Sequence, residues 1–204
     1  YNADFDFEAE GDYNINLIDS FNVTIGQFAA LLLDLDPNNN SGPVILEVFD
    51  DMDLIAHYST SIPQDLGKYK SIFVFLGIIF TGHQLTEPEA EQLAEYLNHG
   101  GRIYMEGRRT WYDDPQTSLH PMFNINTVHD TWFEYDTITG IQGTFTENMQ
   151  FEVTGSSPYN DYYLEPEDDA FTVLYSPVEN YGCAVAYDEG SYKTVGAAFE
   201  MGSL

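Results

Sequence analysis

Basic residues are scarce in this sequence, and their scarcity limits the partners that it can bind. The 204 residues include 6 lysines and arginines against 34 aspartates and glutamates, which gives a formal net charge of −28. Binding to nucleic acid or to anionic lipid depends on lysine and arginine side chains that neutralise phosphates. The composition therefore argues against DNA or RNA as a partner and favours a solvated acidic surface, as on a secreted protein.

Cysteine and long apolar runs are also scarce. The single cysteine, Cys183, cannot form an internal disulfide. It lies in the apolar stretch NYGCAVAY with no base beside it, so we expect a core residue rather than a nucleophile. No run approaches the ~18 apolar residues that a membrane-spanning helix needs, so we predict no membrane insertion. The 43% of hydrophobic residues is enough for one packed domain.

Strand and helix signals alternate between residues 28 and 106. The run FAALLLDLD is typical of a strand buried on both faces, and further strands are predicted in LIAHYSTS, in SIFVFL and in RIYME. The spacing after the turn PNNNSGP predicts a helix over 43–52 with Ser41 as its N-cap. Its expected buried stripe contains five apolar residues, which are Val44, Ile45, Val48, Phe49 and Met52.

A second helix is predicted in the segment LTEPEAEQLAEYLNHGG. Thr86 and Glu89 have the spacing of a capping box, and Gly100 supplies the stop signal. The order strand, helix, strand, strand, helix, strand indicates a parallel sheet covered by helices, which is an α/β fold.

Three other regions complete the predicted layout. Residues 112–180 are rich in Asp, Thr, Asn, Gly and Pro, so we predict a loop-rich insertion with short strands beside the sheet. Near the end, segments 184–187 and 193–199 predict a late β-hairpin. Residues 1–26 are acidic and aromatic without helical periodicity, and we interpret them as an extended lead-in or as the end of a preceding domain.

This order of segments resembles the class I glutamine amidotransferase-like fold, which is flavodoxin-like. Three stretches carry the resemblance, namely KYKSIFVFLG, LTEPEAEQLAEYLNHGGRIYMEG and TVGAAFEMG. LLLDLDPNNNSGP and LNHGGRIYMEGRRTW are also similar to amidotransferase-like modules of large secreted bacterial surface proteins. The resemblance implies a three-layer sandwich around a mostly parallel sheet over 27–204, ending before the family's last helix. It also implies an extracellular or cell-surface location in bacteria, beside other domains of a larger parent protein.

The resemblance fails at the catalytic residues. An amidotransferase needs a cysteine on the turn after the strand RIYME, together with a histidine and a glutamate. That turn, which we call the elbow turn (residues 107–111), reads GRRTW, and the stretch AAFEMG keeps Glu200 without a histidine. Amidotransferase activity is therefore excluded. The resemblance then implies a non-catalytic accessory or interaction module that binds a glycan, a peptide or calcium.

Four carboxylates leave an enzymatic alternative open. If the sheet is parallel, Asp34, Asp36, Glu106 and Glu200 come from the carboxyl ends of strands, where the sites of α/β proteins assemble. Two of them would then serve a hydrolase as general acid and base, or as nucleophile and acid on a glycoside. The structural interpretation is that Asp34 and Asp36 cap the following helix or tie the asparagine-rich turn.

The turn after the first strand also carries the candidate metal ligands. Asp34, Asp36, Asn38 and Asn40 stand at alternating positions, as the oxygen ligands of a calcium loop do. An EF-hand loop also needs glycine at its sixth position and glutamate at its twelfth, where this sequence has asparagine and isoleucine. A looser calcium site and a plain Asx turn both remain open, and no other cofactor is predicted.

The elbow turn and one histidine supply the candidate ligand-binding residues. Arg108, Arg109 and Trp111 are predicted to be exposed there. The arginines would recognise a carboxylate, and the tryptophan would stack on a sugar ring. The alternative for the arginines is ion pairing with nearby acidic residues. His83 is the histidine that we expect to face the site, together with Glu106.

Overall fold

The computed structural model describes residues 28–77, 82–134, 136–153, 159–178 and 180–204. The segment 1–26, interpreted as a lead-in or as the end of a preceding domain, lies outside these residues. Within the described ranges, no helix is long and apolar enough to span a bilayer.

The first half of the chain alternates strands and helices as predicted, and the second half consists of strands. The first-half elements are β1 (Ala30–Asp34), α1 (Ser41–Asp51), β2 (Ala56–Ser59), β3 (Ile72–Phe75), α2 (Glu87–Asn98) and β4 (Arg102–Glu106). The later strands are β5 (Ile125–Glu134), β6 (Thr137–Gly140), β7 (Gln150–Glu152), β8 (Tyr159–Pro166), β9 (Phe171–Ser176), β10 (Tyr181–Asp188) and β11 (Lys193–Ala197). Short 3-10 turns occupy Leu66–Lys68, His120–Phe123 and Met201–Ser203.

Among the described residues, nine strands form one mixed sheet in the order β2-β1-β3-β4-β11-β10-β9-β6-β7, and β5 and β8 form a separate pair. The first five strands in this order, which are β2, β1, β3, β4 and β11, run parallel to one another. The pairings beyond β11 are antiparallel. The prediction of a mostly parallel sheet is therefore wrong for half of the pairings. The error arises because the insertion supplies β6, β7 and β9 to the sheet itself, where they cover the edge of β10.

Side chains of β1 alternate between the two faces of the sheet, and both faces are buried. Leu31 and Leu33 share a core with Leu93 of α2. Leu32 shares a different core with Ile45 of α1. The two helices therefore pack against opposite faces of β1, and all five residues of the strand are buried. Full burial stabilises each such leucine by about 1.5–3 kcal/mol, and the prediction of a strand buried on both faces is confirmed.

Helix α1 begins two residues earlier than predicted. Asn40 is its N-cap, so Ser41 is the first helical residue rather than the cap. The Ser41 hydroxyl donates to Glu106 instead of to the helix backbone. This long-range hydrogen bond explains why the capping prediction is wrong at this position.

The predicted apolar stripe of α1 is buried only in part. Ile45 is buried and Phe49 packs against the same core, as predicted, whereas Val44, Val48 and Met52 are exposed to solvent, contrary to the prediction. The helix approaches the sheet through its small first residues. A Cβ atom on Gly42 would lie only 2.1 Å from a carboxylate oxygen of the β1 aspartate, so glycine is required there.

Helix α2 has the predicted start signal. Thr86 is its N-cap. The backbone N–H of Thr86 donates to Glu89 Oε2 at 2.9 Å, and the Thr86 hydroxyl donates to the same oxygen at 2.6 Å. Burial raises the pKa of Glu89, but the hydrogen bonds from Thr86 and His83 outweigh burial and leave that pKa lowered.

Removing this cap is expected to weaken the fold measurably. The Thr86→Ala variant loses the hydroxyl that donates to Glu89, and loss of an N-cap side chain typically costs about 1 kcal/mol. Urea unfolding followed by circular dichroism should show a lower midpoint at an unchanged slope. The Thr86→Ser variant keeps the hydroxyl and should match the wild type. Equal losses in both variants would contradict the capping role.

The late hairpin is confirmed. β10 and β11 pair in antiparallel orientation, and Gly190 in the connecting turn has a φ of +88°, a left-handed conformation that favours glycine. Cys183 in β10 is fully buried and belongs to the core, as predicted. β11 then pairs in parallel with β4, which places Ala197 beside Glu106.

Candidate functional site

The predicted carboxylates lie at one edge of the sheet, at the carboxyl ends of the parallel strands. The Cα register aligns Asp34 of β1 with Phe75 of β3, and Phe75 with Glu106 of β4. Glu200 follows β11 and interacts electrostatically with both Asp34 and Glu106. The structure therefore brings together the acidic groups that the sequence placed at the strand ends.

Glu106 is the centre of a buried hydrogen-bond network. The residue is 1% exposed. Its Oε2 accepts from the Tyr104 hydroxyl at 2.7 Å and from the backbone N–H of Met201 at 2.8 Å. Its Oε1 accepts from the Ser41 hydroxyl, whose oxygen in turn accepts from the backbone N–H of Gly202 at 3.0 Å. The network ties β4 to the start of α1 and to the last 3-10 turn.

Burial is the main influence on the acidity of this network. Burial raises the pKa of Glu106 to about 8, although hydrogen bonds from two hydroxyl groups oppose the shift. Burial also raises the pKa of Glu200 to about 7, and the charge of Asp36 adds to that rise. The Glu106 carboxyl therefore keeps its proton to a higher pH than an exposed glutamate does, because its ionisation would bury another charge among carboxylates.

The two aspartates after β1 are held by different partners. The Tyr58 hydroxyl donates to Asp34 Oδ2 at 2.7 Å, while Asp34 Oδ1 is buried without a hydrogen-bond partner among the described atoms. Asp36 Oδ1 accepts from the backbone and side-chain amides of Asn38 at 2.9 and 3.1 Å. Asp36 Oδ2 accepts from the backbone N–H of Asn40 at 3.4 Å. This geometry is that of an Asx turn, which is one of the two alternatives that the sequence left open for this segment, the other being a calcium loop.

The candidate calcium ligand Asp36 takes part in hydrogen bonds within the turn after β1. Calcium takes six to eight oxygen ligands, whereas both oxygens of Asp36 face N–H donors. The side-chain amide of Asn40 donates to Glu200 Oε2 at 3.3 Å. In the part of the chain that the structure describes, no group of three or more His, Cys, Asp or Glu residues is placed to hold a metal ion. Calcium binding therefore stays a prediction from the sequence.

We expect millimolar calcium to leave the thermal unfolding of chelator-treated protein unchanged. A ligand present at ~100 times its dissociation constant adds roughly 2.7 kcal/mol and visibly raises the melting temperature. Magnesium at the same concentration controls for general screening of the acidic surface. A rise specific to calcium, and lost in the Asp36→Asn variant, would contradict the Asx-turn assignment.

Trp111 is buried, so the prediction of an exposed elbow tryptophan is wrong. The residue is 5% exposed, and its Nε1 donates to the carbonyl oxygen of Ala197 at 2.9 Å. Its ring packs edge-on against Phe123, with ring centroids 5.1 Å apart. Gly196 makes room for the ring, since a Cβ atom there would lie 2.5 Å from Trp111 Cζ2. The indole belongs to the core, because burying a large apolar ring is favourable, and it cannot stack on a sugar in this position.

The two elbow arginines are also engaged by the protein itself. Arg108 is 7% exposed, contrary to prediction, and its charge opposes the burial-driven rise in the pKa of Glu200. Arg109 is partly exposed, and its Nε lies 3.0 Å from Asp113 Oδ2 in an ion pair. Arg109 therefore forms an ion pair, which was the alternative to ligand recognition that the sequence left open.

A cleft of about 490 Å³ lies beside the elbow turn. Its polar lining includes His83, Gln84, Arg109, Thr110 and Asp114, and Glu106 does not contribute to it. His83 Nε2 lies 3.0 Å from Glu89 Oε2, so this histidine is held at the start of α2. The cleft is the place in the described structure where a small polar ligand would meet His83 and Arg109.

A buried threonine–histidine pair on the elbow turn was not foreseen from the sequence. Thr110 Oγ1 and His120 Nε2 are 3.0 Å apart, the separation of a nucleophile and its base. However, the backbone N–H of Thr117 donates to His120 Nδ1 at 3.0 Å. Nδ1 therefore carries no proton, and Nε2 donates its proton to Thr110. Because Nε2 already carries a proton, it cannot accept the proton of the threonine hydroxyl, and burial lowers the pKa of His120, which disfavours a second proton on the ring.

The tyrosine partners of the carboxylates were also not predicted from the sequence. Tyr104 and Glu106 stand two residues apart in β4, so a strand places both on one face, and this signal was available. Tyr58 reaches Asp34 only because β2 pairs with β1, with Leu32 opposite Tyr58. That contact depends on the order of strands in the sheet, which no local pattern specifies.

No family model and no curated protein matches this sequence. Several solved structures do match it. The N-terminal domain of mmIFT52 is 16% identical, with a TM-score of 0.54 over 83% of this chain and 85% of that one. A glutamine amidotransferase from Thermotoga maritima is 10% identical, with a TM-score of 0.53 over 86% and 77% of the two chains. The exo-β-1,4-mannosidase Op5Man5 from Opitutaceae bacterium strain TAV5 is 9% identical, with a TM-score of 0.62 over 87% and 32%.

At these identities the likenesses show the fold alone. The chain is a mixed-sheet α/β domain, and its structural neighbours include the glutamine amidotransferase fold that the sequence motifs predicted. It spans about a third of the mannosidase chain, so the matching fold is one part of that larger protein.

Proposed function

We propose that this chain is a non-catalytic accessory or interaction module of a secreted or cell-surface bacterial protein. The buried network around Glu106 carries the proposal. An enzyme of amidotransferase-like fold would present a nucleophile and an open pocket at this edge of the sheet. Here the oxygens of Glu106 accept hydrogen bonds from Ser41, Tyr104 and Met201. Groups that would contact a substrate contact one another instead.

The elbow turn supports the same function. It contains no serine or cysteine, and the hydroxyl of its threonine, Thr110, accepts a hydrogen bond from His120 instead of donating one to it. Trp111 on the same turn packs into the core. A turn with these contacts stabilises the domain and offers no activated nucleophile.

Membership of a larger protein is part of the proposal. A fold of this kind makes up about a third of the mannosidase, and we propose that this chain likewise accompanies other domains of a parent protein. The three-layer sandwich is proposed as its architecture, with α1 and α2 as the outer layers. A glycan or peptide is proposed as the ligand of the cleft beside Arg109 and His83. Calcium at the turn after β1 is the alternative that a calcium-specific rise in melting temperature would support.

A hydrolase is the alternative function, and one observation favours it. The pKa of Glu106 is raised to about 8 and that of Glu200 to about 7, as in many catalytic acids. Glu106 would act as the general acid, with Asp34 or Glu200 as the second carboxylate. Against this role, Glu106 and Asp34 are each 1% exposed, and a general acid must reach its substrate.

Turnover assays with the purified chain distinguish the two functions. We expect the wild type to hydrolyse aryl glycosides, aryl esters and peptides no faster than its Glu106→Gln variant does. Glutamine keeps the shape of the side chain and cannot act as an acid, and thermal unfolding shows whether the variant is folded. Hydrolysis by the wild type that disappears in a folded Glu106→Gln variant would replace the proposal by the hydrolase.

A further inference from the structure

The outer side of α1 carries an exposed apolar stripe that neither the core nor the Glu106 network uses. Val44, Val48 and Met52 are spaced by four residues, so they lie on one side of the helix. They are 41%, 46% and 63% exposed, and Leu54 and Ile55, which follow the helix, are 40% and 70% exposed. These five residues form what we call the α1 stripe. Exposed apolar residues grouped along one short segment in this way are typical of an interaction site.

The rim of the α1 stripe is acidic. Glu47, Asp50, Asp51 and Asp53 are all exposed beside it, and residues 41–55 contain no lysine or arginine. Three of the four acids lie at the carboxyl end of α1, where the helix dipole is already negative and acidic side chains are unfavourable. A positively charged group docked there would relieve this repulsion. The surface therefore combines an apolar centre with a preference for cations.

We propose that the α1 stripe docks a basic amphipathic helix of a partner protein. The apolar side of such a helix would cover Val44, Val48 and Met52, and its flanking lysine or arginine residues would meet the acidic rim. Helices bind apolar surfaces in this way, and complementary charge steers them and fixes their orientation. The inference rests on the proposed interaction function and names its surface and the chemistry of its partner.

Charge argues against the other occupants of the stripe. The sequence of residues 1–27 contains no basic residue and the acidic residues Asp4, Asp6, Glu8, Glu10, Asp12 and Asp19. A second copy of the chain would bring an identical acidic rim and a further net charge of −28. Either occupant would place like charges against each other, which is unfavourable. The acidic rim therefore favours a basic segment of another protein as the binding partner.

Binding of a model peptide tests the proposal. The probe is a fluorescently labelled peptide of leucine and lysine, about 18 residues or five helical turns long, with amphipathic helical spacing. We expect the full chain to bind it at physiological salt. The Val44→Ser/Val48→Ser/Met52→Ser variant has the same net charge, and its dissociation constant should be at least ~10-fold higher. A leucine–glutamate peptide of the same pattern should not bind.

The matched control removes three exposed apolar residues from other surfaces. Phe145→Ser/Met149→Ser/Val178→Ser should bind the peptide as the wild type does, and all six sites are exposed, so both variants should melt like the wild type. If the stripe variant unfolds, the single Val48→Ser variant provides the same comparison with a smaller change. Failure of the wild type to bind, or equal binding by wild type and stripe variant, would overturn the proposal.

One further outcome would reassign the surface. Concentration-dependent dimerisation of the wild type that disappears in the stripe variant would show that a second copy covers the stripe, and would also overturn the proposal. None of these measurements depends on turnover. A failure here is therefore distinguishable from the discovery of hydrolase activity, which would overturn the non-catalytic function.

Discussion

Replacing Trp111 with alanine is expected to lower the free energy of unfolding by about 4 kcal/mol, since removing a buried tryptophan typically costs 3–5 kcal/mol. The ring is 5% exposed, packs against Phe123 and fills the space that Gly196 leaves open. The substitution also removes the Nε1 hydrogen bond to Ala197. A loss of this size would be a large share of the stability of an ordinary domain.

Urea unfolding of Trp111→Ala beside Phe145→Ala measures this effect. Phe145 is an aromatic residue of a turn and is 62% exposed, so its replacement should change stability by less than about 0.5 kcal/mol. Wild-type stability in Trp111→Ala would contradict the core role. It would also return Trp111 to the sugar-stacking role that its sequence position first indicated.

Replacing Glu106 with glutamine is expected to stabilise the chain at neutral and alkaline pH. Burial raises the folded-state pKa of Glu106 to about 8, far above the 4.5 of an exposed glutamate. Glutamine has the same shape and no charge. Its side-chain oxygen can accept from Tyr104 and Met201, and its amide can donate to Ser41, so the network can persist.

The direction of the pH effect follows from the sign of the shift. Because the folded-state pKa is raised, the unfolded chain releases its proton first as the pH rises. The contribution of Glu106 to stability is therefore fully present below about pH 4.5 and is lost progressively up to about pH 8. The loss is about 1.4 kcal/mol per pH unit in this window. Glu200, with a pKa of about 7, follows the same trend in both proteins.

Unfolding curves between about pH 5 and about pH 9 test this prediction, a range that spans most of the expected titration. The stability of Glu106→Gln relative to the wild type should grow with pH and reach about 4 kcal/mol at the upper end. Glu91 is an exposed glutamate of α2, and Glu91→Gln should follow the wild type throughout. A difference between Glu106→Gln and wild type that does not change with pH would contradict a buried, protonated Glu106.

Elements with their own local signals could be predicted from the sequence. β1 is a continuous apolar run, and α2 has both a capping box and a glycine stop. The hairpin of β10 and β11 has a glycine-containing turn between two apolar runs. In each case the residues that define the element are its own neighbours in the chain, so a short window of sequence contains the physical cause.

The surroundings of an element could not be predicted in this way. The spacing of Val44 and Val48 correctly indicates that α1 is a helix with an apolar stripe, but it does not show what covers that stripe. For Trp111 the error has the opposite direction. Its place on a turn predicted an exposed side chain, whereas contacts with Gly196 of β11 and with Phe123 bury it. Whether an apolar side chain is buried depends on elements distant in sequence.

The candidate site was predicted in part for the same reason. Parallel strands bring their carboxyl ends to one edge, so the meeting of Asp34, Glu106 and Glu200 follows from topology. Two of the three donors to Glu106 come from 65 residues upstream at Ser41 and 95 residues downstream at Met201. No spacing rule links such residues. The sequence therefore indicated where a site would lie and did not reveal that its own residues fill it.

Carboxyl footprinting is the most direct test of the claim that this site is filled by its own side chains. The native chain is treated with a water-soluble carbodiimide and an amine, and the modified carboxylates are located by mass spectrometry. We predict that Glu106 and Asp34, each 1% exposed, are protected in the native chain and become modified after unfolding, while Glu91 is modified in both states. Modification of Glu106 in the native chain as fast as that of Glu91 would contradict the filled site and would show a pocket open to substrate.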